Sequence, residues 1–103
     1  MPRSPLTLDE YQGSAARTMN AALSPDEKLM DAAAGLAEES GEVLGLVRKH
    51  LYRERPLDEA ALIEELGDAL WCIAAVATAK GLPLEIIAAA NIEKLRQRYA
   101  VER

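Results

Sequence analysis

The stretch Leu36-Ala-Glu-Glu-Ser-Gly-Glu-Val-Leu44 returns 26 residues later as Leu62-Ile-Glu-Glu-Leu-Gly-Asp-Ala-Leu70. Both follow the pattern L-x-E-E-x-G-[E/D]-x-L. No part of the chain sustains the period-two alternation of a half-buried strand, so each stretch reads as the body of a helix. At about 100° per residue, Glu39 sits near Leu36 on the helical wheel, among Ala32, Val43 and Leu46. Glu65 sits equally near Leu62, among Ala69, Cys72 and Val76. Glu42 and Asp68, three residues further on, border the same faces. Each helix therefore carries two carboxylates at the edge of its own apolar stripe.

The helix boundaries follow from local chemistry on either side of these stretches. Thr7-Leu-Asp-Glu10 is a capping box that opens a first helix, expected to reach about Ala22. Ser24-Pro25-Asp26-Glu27 combines an N-cap, a proline at the first helical position and a glutamate at the third. It starts a second helix expected to run from Pro25 to about Tyr52. Asp58 caps a third helix to about Lys80, Gly81 stops it, and Pro83 starts a fourth that continues to about Tyr99. Short connections favour antiparallel neighbours. The expectation is an all-α, four-helix antiparallel bundle: one domain over residues 1–103, with an ordered core over about 7–99 and loose ends.

Composition agrees. Half of the 103 residues are apolar, but only four are aromatic and none is Phe, so the core must come from Leu, Ile, Val and Ala. No signal peptide is recognisable, and the longest apolar run, residues 70–79, is about half a membrane span. A lone Cys72 precludes an internal disulfide and fits a reducing compartment. A cytoplasmic protein with no membrane partner is expected. The net charge of −5 argues against nucleic acid as a partner, because phosphate backbones demand a basic face. Six of the acids lie in the two motifs: Glu38, Glu39, Glu42, Glu64, Glu65 and Asp68. Neutralising them would turn the net charge into +1, so the acidity belongs to a site.

A carboxylate forced towards a core must be paired, protonated or bound to a metal. If the second and third helices form an antiparallel hairpin, Glu39, Glu42, Glu65 and Asp68 converge, and no basic residue lies inside either motif. Hard oxygen ligands in that number suit Mg²⁺, with Mn²⁺ as a substitute, whereas the His/Cys set for zinc is missing. Gly41 and Gly67 each cost about 1 kcal/mol in a helix interior. A close approach of helices or ligand is the expected return. Solvated acidic faces would explain either motif alone, but not matched acids, glycines and leucines in both.

At these residues the sequence resembles the MazG-type nucleoside triphosphate pyrophosphohydrolases of the all-α NTP pyrophosphatase superfamily. The family's E-E-x-x-E appears as Glu38-Glu39-Ser40-Gly41-Glu42, its E-x-x-D as Glu65-Leu66-Gly67-Asp68, and its N-x-x-K as Asn91-Ile92-Glu93-Lys94. Ala100 departs from the proline that many relatives carry after the Arg-Tyr pair. The resemblance implies hydrolysis of a nucleoside triphosphate between the α and β phosphates. It implies that Glu39, Glu42, Glu65 and Asp68 are metal ligands and that Glu38 orients or deprotonates the attacking water. It further implies that Asn91 and Lys94 contact the nucleotide or its phosphates, in sites lined by more than one subunit of a homodimer or homotetramer.

Other residues divide between roles. Arg98 shares a helix face with Asn91 and Lys94, where it reads equally as a phosphate contact or as a complement to the helix dipole. Arg48, Lys49, Arg53 and Arg55 form a basic cluster that reads first as a solvated helix end and second as a screen for phosphates. His50 reads as a surface residue. Trp71 falls opposite the Leu62 stripe, where a subunit interface is the expected use. Gln12 is a candidate to read a base edge. Two alternatives stand beside the main reading: a non-catalytic acidic dimerisation or adaptor module that binds divalent cations, and a related hydrolase acting on phosphoribosyl-ATP.

Overall fold

The structure is a computed structural model that describes residues 6–99; what was expected of the extreme ends lies outside that range. Four helices and no strand occupy the described residues: α1 (Leu8–Ala16), α2 (Pro25–Tyr52), α3 (Glu59–Ala79) and α4 (Leu84–Tyr99). The capping chemistry holds where it was expected. Thr7 and Ser24 each accept from the backbone N–H three residues on, while Glu10 and Glu27 reach back to close both boxes. Asp58 caps α3 through the N–H of Ala61. At the far end Gly81 takes φ +68°. The N–H groups of Gly81 and Leu82 return to the carbonyls of Thr78 and Ala77, the paired bonds of a Schellman stop.

α1 ends earlier than expected, at Ala16 rather than near Ala22. The Thr18 hydroxyl donates to the Ala15 carbonyl at 2.7 Å, and the Asn20 side chain accepts from the N–H of Ala22. Such side-chain bonds compete with helical continuation and convert residues 17–23 into turns.

α2 and α3 pack as a long antiparallel hairpin, and α1 lies against α3. Apart from Leu84 the buried residues are small: Ala32, Cys72 and Ala75 between α2 and α3, and Ala15, Ala74 and Ala77, which with Leu84 lie beneath Tyr11 and Trp71. No large side chain is fully buried among the described residues. Trp71 is thus spent within the chain, with its indole N–H donating to Thr18 Oγ1 at 2.7 Å.

α4 is the fourth helix by count but does not close the packing of a single chain. It turns by 106° from the direction of α3 and touches α1 rather than lying along α2. Leu84 anchors it, and Gln12 holds the elbow in place. The Gln12 amide donates to Thr78 Oγ1 at 3.2 Å and to the Leu82 carbonyl at 2.9 Å, and its Oε1 accepts from the N–H of Leu84 at 2.8 Å. The radius of gyration of 16.4 Å exceeds the roughly 13 Å of a compact domain this size. The accessible area of 8181 Å² likewise exceeds the roughly 5,700 Å² expected from the mass. No single helix among the described residues is long and apolar enough to cross a membrane.

Candidate metal centre

Antiparallel packing of α2 and α3 brings the two motifs face to face. One carboxylate oxygen from each of Glu39, Glu65 and Asp68 lies within 4.8 Å of the other two. Glu39 and Glu65 are half-buried and Asp68 is exposed, so the group opens to solvent on one side. Glu39 Oε2 is enclosed and has no hydrogen-bond partner. An enclosed carboxylate oxygen without a donor is costly, and that cost marks a position where a cation would compensate it. The Glu65 carboxyl is raised above its ordinary range by a hydrogen bond with Glu39, then by loss of hydration, then by the charges of Glu39 and Asp68.

The donor set fits a hard divalent ion. Opposite corners of an octahedron with bonds of about 2.0–2.1 Å are roughly 4.1 Å apart. Adjacent corners are closer, about 2.9 Å, so the three oxygens, within 4.8 Å of one another, would have to draw together by up to about 2 Å to share one ion, a movement within reach of side-chain rotation. No cationic side chain comes between them, and the one ion pair among the described residues joins Arg96 and Glu93 on α4.

The other expected site residues are distributed around this group. Glu42 does not join the converging trio. With Glu38 and Glu65 it lines an adjoining cleft of about 290 Å³, together with Gly41, Gly45, Leu46 and Lys49. The two glycines leave open space where a side chain would stand, so a ligand in the cleft approaches the α2 backbone. Asn91, Lys94 and Arg98 all lie on the exposed outer part of α4, which does not pack on α2 in a single chain. Gln12 is committed to the α4 elbow by three hydrogen bonds, and His50 Nδ1 lies 2.7 Å from the Arg55 carbonyl.

Two residues near the site carry no motif. Lys49 places a cation in a cleft otherwise lined by acids, glycines and a leucine. Its position seven residues after Glu42, two turns along one face, was the available signal. Tyr11 is pushed up by burial and then by the charge of Asp68, so its phenol senses the acidic group. Nothing in the α1 sequence announces that influence, because it depends on how α1 lies on α3.

A helical hairpin with acids meeting across its middle and an open polar cleft beside them defines an all-helical protein with an open acidic site. Residues 28–100 match the family model described as the MazG nucleotide pyrophosphohydrolase domain, and the chain belongs to that family. The match takes in nearly all of α2, together with α3 and α4, and leaves α1 outside it. No curated protein and no solved structure matches the chain. Membership assigns the general activity, nucleotide pyrophosphohydrolysis, and with it a nucleotide as substrate.

Proposed function

We propose that the protein is a Mg²⁺-dependent nucleoside triphosphate pyrophosphohydrolase, with Mn²⁺ able to substitute. Water is added and the bond between the α-phosphorus and the α–β bridging oxygen, or its β counterpart, is broken. The products are a nucleoside monophosphate and pyrophosphate. The observation that carries this reading is the convergence of Glu39, Glu65 and Asp68 around the partnerless Glu39 Oε2, in a chain of this family.

In this reading Glu39, Glu65 and Asp68 hold the ion, and Glu42 joins them from the cleft side. An ion held by these acids would supply charge neutralisation at the phosphates. Glu38, on the cleft wall, accepts the proton of the attacking water. A polyphosphate entering an acid-lined cleft would be repelled without added positive charge. Lys49 supplies some of that charge from the chain itself, and Asn91, Lys94 and Arg98 supply further contacts to the nucleotide.

Those α4 residues reach a site only if chains associate. The α3 face bearing Ile63, Leu66, Leu70 and Ile73 is at least 38% exposed at every position, as is α4 at Ile86, Ile92 and Tyr99. Spacings of three and four make the α3 positions one apolar stripe. A second copy of the chain laid on this surface would bury it and bring a second α4 towards the acids, giving a homodimer or homotetramer. The cell compartment we infer is the cytoplasm, from the single unpaired Cys72.

The test is a panel of ribo- and deoxyribonucleoside triphosphates incubated with Mg²⁺, with Mn²⁺ and with EDTA, read by pyrophosphate release. Metal-dependent release with at least one nucleotide is expected, and lost in Glu39→Gln. Equal release in EDTA would refute the assignment of the carboxylates.

A further inference from the structure

Gly35 of α2 and Cys72 of α3 are in direct contact. A Cβ built on Gly35 would stand 2.9 Å from Cys72 Sγ, closer than a carbon and a sulfur normally approach. The other helical glycines of α1, α2 and α3 (Gly13, Gly41, Gly45 and Gly67) have open space at the same point. Packing therefore requires glycine at Gly35 and not at those four. Cys72 is 6% exposed, and Ala32 and Ala75, three residues away on the side opposite the acids, are each 2% exposed. Only small side chains separate the helices here.

The contact stands one helical turn from the acidic group. Glu39 follows Gly35 by four residues, and Asp68 precedes Cys72 by four. In an antiparallel pair both steps run the same way along the hairpin, about 6 Å at 1.5 Å per residue. The separation of α2 and α3 at Gly35 is therefore passed almost undiminished to Glu39 and its partners. We propose that the Gly35–Cys72 contact is the spacer that sets the gap between Glu39 and the Glu65–Asp68 pair, and so the size of divalent ion the cluster accepts. This rests on the reading of those three acids as metal ligands.

Ion size follows from spacing because Mg²⁺ demands near-ideal octahedral geometry at about 2.0–2.1 Å, while Ca²⁺ takes irregular oxygen shells at about 2.3–2.6 Å. A wedge at Gly35 opens the cluster and penalises the smaller, stricter ion. Calorimetric titration of metal-free protein with Mg²⁺ and with Ca²⁺ reads this without turnover. Gly35→Ala is expected to weaken Mg²⁺ roughly 10-fold, the scale of an outer-shell loss, and Ca²⁺ by less than about 3-fold. Cys72→Val, which thickens the same contact from the α3 side, is expected to show the same ion-selective loss. Gly35→Ala combined with Cys72→Ala exchanges the sulfur for the new methyl and is expected to recover Mg²⁺ affinity. Melting in EDTA gives the stability of each variant separately. If the variants melt lower while the ratio of Mg²⁺ to Ca²⁺ affinity stays at the wild-type value, the contact is packing alone and the proposal is wrong. Failure of the wild type to bind either ion would overturn both the spacer and the reading beneath it.

Discussion

Glu39 on α2 and Glu65 on α3 oppose each other with a carboxylate oxygen of each within 4.8 Å, and Glu39, through hydrogen bonding and then charge, helps lift the Glu65 carboxyl above its ordinary value of 4.5. Two acids from separate helices stand this close only where something else holds the helices together. Here small residues on either side of the hairpin do so, and the acids bear the cost.

That cost has a sign. A glutamate raised in the folded state adds stability below its unfolded pKa, and the contribution disappears as pH rises through the folded value. In EDTA, wild type should therefore lose stability relative to Glu65→Gln as pH is raised from about 5 to about 7. Denaturant melts of both proteins across that range measure it. A difference that does not change with pH would mean the pairing is absent in solution.

Divalent metal should reverse the penalty. At about 100-fold excess over Kd, one site adds roughly 2.7 kcal/mol, which for a domain of this size raises Tm by at least several degrees. Glu39→Gln should melt at or above the wild-type temperature in EDTA, show a smaller shift with Mg²⁺ and have no turnover. Thermal melts with EDTA and with Mg²⁺ decide it. A variant that melts lower in EDTA yet still hydrolyses nucleotide would make Glu39 a structural residue.

Gln12 is predicted to act through the α4 elbow. Gln12→Ala leaves the part-buried N–H of Leu84 without its partner, at a cost of about 1 kcal/mol, while water can replace it at the exposed Leu82 carbonyl. The expected outcome is a lower Tm with unchanged discrimination among bases, read from kcat/KM ratios over a nucleotide panel. Altered base preference at unchanged Tm would restore Gln12 as a base-reading residue.

The sequence made the helix starts legible because capping boxes, prolines and Gly81 act within a few residues. It also made Glu39, Glu65 and Asp68 legible, since equal spacing on two antiparallel helices leaves little freedom. The early end of α1 was hidden in Thr18 and Asn20, whose side chains bond locally instead of extending the helix. The attitude of α4 could not be read at all. Periodicity identifies an apolar face but not what covers it, and the elbow depends on Gln12, some 70 residues away in sequence. The same holds for the bond of the Trp71 indole to Thr18, 53 residues away in sequence.

The exposed α3 stripe leads to a prediction about assembly. Ile73→Glu places a charge on that stripe without touching the acidic group, and should give a monomer by light scattering. If a second copy brings α4 to the site, turnover should fall on the order of 100-fold with the loss of positioning. A monomeric variant with full activity would show that one chain suffices.

The most direct measurement is chromatographic identification of the products when a nucleoside triphosphate is incubated with the protein and Mg²⁺. Nucleoside monophosphate and pyrophosphate in equal amounts, absent with EDTA and absent with Glu39→Gln, is the predicted result. Nucleoside diphosphate with inorganic phosphate, or products that persist in EDTA, would contradict it.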